Sequence, residues 1–185
     1  MKRLLIILVV FSFGCGGKTP ELKQYLLRAD AGGQTAAPAP VSIGIGELTV
    51  AHYIDDPGLV IESSDGEVRA ARHHQWAEPL RESLRRYLAN EIANASGRAI
   101  GSREHKTSNW KRRIDIHIDQ LHGTVDGDAI LVAHWSMVDA IKLRLLADKY
   151  FSDTEPLGGD GYEALVRAEK ALLSRLAAGI AATLK

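Results

Sequence analysis

The sequence predicts an α+β fold in a single domain: a mostly antiparallel β-sheet with two main helices packed on one face. Three observations carry this. Two stretches, 41–50 and 113–123, alternate apolar with polar or small residues at a period of two, as a half-buried strand does. Two others, 76–92 and 162–184, space their apolar residues by three and four, as an amphipathic helix does. The order along the chain is strands, helix, strands, helix, and its 185 residues suffice for one core but are tight for two full domains.

The chain opens with a segment outside that fold. Lys2 and Arg3 precede an unbroken apolar run from Leu4 to Phe11, and Gly14 and Cys15 follow. This is the layout of a secretory signal peptide, and the run falls short of the roughly 20 residues a membrane-spanning helix needs. Ser12-Phe13-Gly14-Cys15 resembles the bacterial lipobox, in which the cysteine sulfur receives a diacylglycerol and the signal is cut just before it. We therefore expect residues 1–14 to be the signal peptide and 15–24 the lipidated amino terminus and tether. Residues 25–185 form the domain. Gly16 rather than aspartate after the cysteine favours the outer membrane, by resemblance to bacterial sorting rules. The bland alternative makes Cys15 a small buried apolar residue. It fits poorly, because no core can be built so close to a signal. As the only cysteine, Cys15 forms no disulfide within the chain.

In the mature chain, 25–30 (YLLRAD) is expected to be the first strand, and 31–40, with Pro38 and Pro40, a loop. In 41–50, Val41, Ile43 and Ile45 share one face; Ser42, Gly44 and Gly46 on the other leave room for a backbone or partner to lie close. Asp55, Asp56, Pro57 and Gly58 turn the chain; 59–63 is a strand, 64–67 a hairpin loop, and 68–75 the returning strand. Pro79 suits the first turn of a helix whose face is Leu80, Leu84, Tyr87, Leu88 and Ile92, with Gly97 as its stop. In 113–123, Ile114, Ile116, Ile118 and Leu121 interleave with Asp115, His117 and Asp119, and Asp126-Gly127 then signals a hairpin. Residues 129–139 are apolar on both faces and predict a central strand covered on both sides; 141–152 completes a three-stranded meander. After a glycine-rich break, Tyr162, Leu165, Val166, Leu172, Leu173, Leu176, Ile180 and Leu184 line one side of a long closing helix.

Composition excludes some functions. Lys plus Arg number 23 against 23 for Asp plus Glu, so no basic excess marks a nucleic-acid binder, and loss of Lys2 and Arg3 leaves the mature chain slightly acidic. The seven histidines carry no metal-site spacing. His73 and His74 are adjacent and point to opposite faces of a strand, and so would His117 and His122 if their strand is regular. No HExxH and no second cysteine supply a zinc site, so we expect no metal and no cofactor. A Gly-x-Ser-x-Gly elbow is absent, and 43–48 lacks the third glycine and the following helix of a dinucleotide loop. Asp115 and Asp119 share a strand face, which a polar outer surface explains. No catalytic residue is nominated. Trp76, Glu78, Pro79 and Leu80 sit where a strand meets a helix. They are read either as a core tryptophan closing that corner or as a partner-facing surface, since tryptophan is enriched at interfaces.

The lipobox cysteine, the run "VSIGIGELTVAHYIDDPGLVIESSDGEV", the corner "RHHQWAEPLRESLRRYLANEI" and the start "DGYEALVRAEKALLSRLAAGIAATL" together resemble the ABC-type transport auxiliary lipoproteins, the PqiC-like family. The resemblance implies a non-enzymatic part of an envelope lipid-transport system. It implies Cys15 as the anchor in the outer membrane, a periplasmic MCE-domain protein as partner and a homo-oligomeric ring of several copies. It transfers no catalytic residue. Two other readings stand beside it: an envelope scaffold or peptidoglycan-binding lipoprotein, and a periplasmic hydrolase using a metal at His73 or His117.

Overall fold

The computed structural model describes residues 20–29, 41–64, 66–102 and 110–184. Cys15 lies outside them, as do the expected signal peptide, 1–14, and the expected loop, 31–40. Eight strands form one sheet: β1 (Lys23–Tyr25), β2 (Ile43–Val50), β3 (Gly58–Ser64), β4 (Glu67–Trp76), β5 (Ile100–Gly101), β6 (Arg112–Thr124), β7 (Asp128–Asp139) and β8 (Arg144–Pro156). The helices are α1 (Leu80–Ser96) and α2 (Tyr162–Ala182).

The long ladders are antiparallel: β6 with β7, β7 with β8, and the hairpin β3–β4. Shorter parallel junctions complete the sheet. β2 runs along the first half of β6 (Ile43↔Arg112 to Val50↔Ile118) and β3 along its end (Ile61↔Gly123). β2 and β3 are thus one edge-line beside β6, interrupted by a short 3-10 turn, His52–Ile54. Both helices lie on one face, packed on each other and on the sheet, and the single core runs between the layers through Ile45, Leu84, Leu88, Ile114, Ile118, Leu131, Leu172 and Leu176. The α+β fold expected from the sequence is the one found.

Helix boundaries follow their end chemistry. Pro79 is the N-cap of α1 rather than its first turn, and Gly97 ends it in the left-handed region at φ 68°, its N–H bonded to the Ala93 carbonyl. α2 begins after Gly161 (φ 84°), and its buried residues include Leu165, Leu172, Leu173, Leu176, Ala177 and Ile180.

Three expectations are corrected. The first strand is Lys23–Tyr25 rather than 25–30, because Lys23, Gln24 and Tyr25 pair with His74, Gln75 and Trp76, and Tyr25 then accepts Ala77 N–H at 2.8 Å as the chain turns away. Lys23 and Gln24 therefore belong to the sheet and not to the tether. β7 is covered on one face only. Ala129, Leu131, Ala133, Trp135 and Met137 are buried beneath the helices, whereas Ile130, Val132 and Val138 are half-buried between neighbouring strands and His134 is exposed. Finally, β6 is not regular. A bulge between Ile118 and Gln120 shifts the alternation, so His122, opposite Ile130, shares the open face with His117, opposite His134.

Candidate functional site

Where β4 meets α1, Trp76 and Leu80 are buried at 5% and 4% exposure, so their side chains belong to the core. Trp76 N–H donates to the Pro57 carbonyl at 2.7 Å, which closes the corner. Glu78 faces solvent, accepts from Ser83 Oγ at 3.2 Å and pairs with Arg86. Beside Pro79, it is what this corner shows to the outside.

The open face of the sheet carries a polar cluster that the sequence named only in part. Cross-strand pairing sets His117 opposite His134, and Asp119 Oδ2 accepts from His134 Nδ1 at 2.8 Å while its Oδ1 stands 3.4 Å from His117 Nε2. Thr49 Oγ1 meets His117 Nδ1 at 2.6 Å, and Tyr150 lies beside the His134 ring at 4.8 Å. Asp115 is held by Arg113 at 2.9 Å and accepts Glu47 N–H at 2.8 Å. Thr49, Asp115, His117 and His134 line a shallow groove of about 280 Å³ with Glu47, Ser136 and Asp148. His134 was not nominated, because only the hairpin register brings it to His117. Each group already has a partner from a neighbouring strand, and none is buried. Among the described residues, no three His, Cys, Asp or Glu side chains form a group that could hold a metal ion. His73 and His74 are both on β4, and His74 is sandwiched between Tyr25 and Tyr162, the latter ring 4.2 Å away.

Sequence reasoning missed the two buried ionisable groups. His122, 4% exposed, receives the Tyr53 hydroxyl at Nδ1 (2.8 Å), and its Nε2 is 3.3 Å from Glu62 Oε2. Burial pulls the imidazole below its ordinary value, and Glu62 partly opposes this. Glu169 on α2 is 1% exposed; its Oε2 has no hydrogen-bond partner, and burial pushes its carboxyl up to about 8. It is therefore protonated at neutral pH. Its place on the helix face among Leu165, Leu172 and Leu173 was the available signal: the three-and-four spacing puts 169 on the apolar stripe.

A helix pair packed on one face of a mixed sheet is the architecture that carries these groups. Solved structures share this fold. A protein described only as uncharacterized matches 91% of this chain and 100% of its own at a TM-score of 0.71 and 19% identity. One from Xanthomonas campestris matches 87% and 90% at 0.63 and 15%. At the level of sequence, the model for the ABC-type transport auxiliary lipoprotein component matches residues 25–181, and the chain belongs to that family. The intermembrane transport lipoprotein PqiC of Escherichia coli (strain K12) is 25% identical over 187 residues, spanning 100% of this chain and 97% of that protein; PqiC of Shigella flexneri matches equally. The chain is thus a PqiC-like transport auxiliary lipoprotein, and the family's names describe a transport component and not an enzyme.

Proposed function

We propose that this lipoprotein is anchored in the outer membrane through Cys15 and docks a periplasmic MCE-domain assembly there, as the non-enzymatic receiving part of an intermembrane phospholipid transport system. The observation that carries the reading is the end-to-end correspondence with an intermembrane transport lipoprotein, joined to a signal segment that ends at a lone cysteine. The physical sense agrees. Each methylene of a lipid exposed to water costs about 0.8 kcal/mol, so passage between membranes needs a sheltered route. A protein tethered to one membrane can complete that route with surfaces alone. Several copies forming a ring would surround it, and the solvent-facing Glu78 and Pro79 are available for contact with a neighbour or partner.

The test uses the full-length protein in its native envelope, crosslinked, solubilised in mild detergent and recovered with whatever is bound. Recovery of an MCE-domain protein, lost when Cys15→Ser mis-sorts the domain, supports the reading. Recovery of other envelope proteins alone favours a scaffold role.

A further inference from the structure

The β7–β8 connection presents a bare apolar tip. Ile141 is 72% exposed, Leu143 83% and Leu145 56%. Isolated exposed leucines need no explanation, but a cluster at one loop does. The loop is also held in place. Asp139 Oδ1 accepts the N–H of Ile141 at 3.0 Å and of Lys142 at 2.8 Å. Leu143 stands at φ 50°, the one non-glycine residue in the left-handed region among the described residues. That conformation costs a leucine about 1–2 kcal/mol and is ordinarily given to glycine or asparagine. Here it carries an isobutyl group into solvent instead.

Cations surround the tip. Lys142 and Arg144 belong to it. Lys111 accepts Ala140 N–H at its carbonyl (2.9 Å), and Arg112 pairs with Asp139 across the ladder, so both flank it. Asp139 is the carboxylate among them and is already engaged by the loop's own N–H groups. Val41, 41% exposed, adds apolar surface at the same end of the sheet, since Ser42 accepts Lys111 N–H at 2.8 Å.

The tip lies at the end of the sheet opposite the tether. Lys23 pairs with Glu163 in the first turn of α2 at 3.2 Å, and α2 starts just beyond the β8 end, where Pro156 sits opposite Asp128. The tip is at the other end of β6, a strand of 13 residues and so about 40 Å long. Cys15 precedes Pro20 by five steps, about 17 Å at full extension. With Cys15 at a membrane, Pro20 stays within about 17 Å of it, and the tip lies at the farther end of the sheet.

We propose that this tip is the docking surface for the periplasmic partner, and that the partner meets it with an acidic face around an apolar pocket. The inference rests on the membrane attachment through Cys15 proposed above. Apolar anchors flanked by four basic residues, Lys111, Arg112, Lys142 and Arg144, against the single described carboxylate of Asp139 select for that chemistry. A bilayer is disfavoured for a tip at the end of the sheet farther from the anchor. A second copy carries the same tether, so its acidic upper end, with Asp126, Asp160 and Glu163, is held at the same membrane plane and not beneath the tip.

The experiment places a photo-crosslinking amino acid at Leu143, and in a control at Val125, 64% exposed at the tethered end, in the full-length lipoprotein in its native envelope. We expect position 143 to capture the partner recovered in the pull-down above, and position 125 not to. Lys142→Glu with Arg144→Glu should lower that yield about tenfold, with far-UV circular dichroism unchanged. Capture of phospholipid or of a second copy at position 143, or of the partner only at 125, overturns the proposal. So does a yield indifferent to the charge reversal. If the pull-down itself recovers no partner, it is the transport reading that fails.

Discussion

At the scale of single residues, the chain buries an acid and a base that respond to pH in opposite senses. Glu169 keeps its proton up to about 8 in the folded chain, whereas the unfolded chain gives it up near 4.5. The folded state thus binds the extra proton between those values, and stability falls as pH rises through that window, by at most about 1.4 kcal/mol per unit. Glu169→Gln should flatten this decline, which urea unfolding at pH 5 and pH 8 measures. His122 behaves the other way. Its folded value lies below the ordinary 6.5, so the unfolded chain takes up the proton first and stability falls as pH drops below about 6.5. The two slopes oppose each other in the interval just below about 6.5, and single variants separate them. With His122→Gln, the rise in stability on acidification that Glu169 supplies should be steeper in that interval.

At the scale of elements, the small residues of β2 have a specific use. A Cβ at Gly44 would stand 2.2 Å from the Trp110 ring, and one at Gly101 2.7 Å from it, so the indole lies flat over two glycines on adjacent strands. The sequence indicated room for a close approach, and the structure shows that Trp110 fills it. Gly44→Val should cost about 1–3 kcal/mol through overpacking, and most of that loss should vanish in a Trp110→Ala background, which a double-mutant cycle by denaturation reads out. Arg85 of α1 bonds the carbonyls of Ile45 and Gly46 where β2 bulges, which ties helix to strand at the same place. Gly97 ends α1 with positive φ and no nearby atoms to clash with a Cβ, so Gly97→Ala tests conformation alone. Its expected cost is about 1 kcal/mol, visible as a lowered Tm.

At the scale of the whole molecule, the proposed attachment at Cys15 and the sheet set a polarity. The tethered end holds the hairpin turn at Gly127, the start of α2 and Lys23; the other end holds the apolar, basic tip. Among the described residues no helix is long and apolar enough to cross a membrane. Cys15→Ser should move the protein from the membrane pellet to the periplasmic extract while leaving its Tm within about 1–2 °C, because Cys15 precedes every element of the fold. A variant that stays in the pellet would show that something other than Cys15 holds the protein at the membrane.

Much of this architecture was legible along the chain. Both helices, the β3–β4 and β6–β7 hairpins and the closing meander follow from local periodicity and from turn glycines at 66, 97 and 127, because a strand or helix writes its buried face into its own sequence. The family was legible too, since its motifs stand in 41–68, 72–92 and 160–184, on either side of a middle that matches only in its pattern of strands. Tertiary structure decided what depends on neighbours distant in the chain. The parallel pairing of β2 and β3 with β6 joins segments some sixty residues apart, and no local pattern encodes which strand lies beside which. The bulge at Asp119 brought His122 to the face of His117, the ladder brought His134 to Asp119, and the single layer of helices left the outer face of β7 open. The sequence by itself determined which elements form and which side of each is apolar, because those are properties of consecutive residues. The partners of each side, the two buried ionisable groups and the exposed tip were decided only when the chain closed, because burial belongs to the assembled layers.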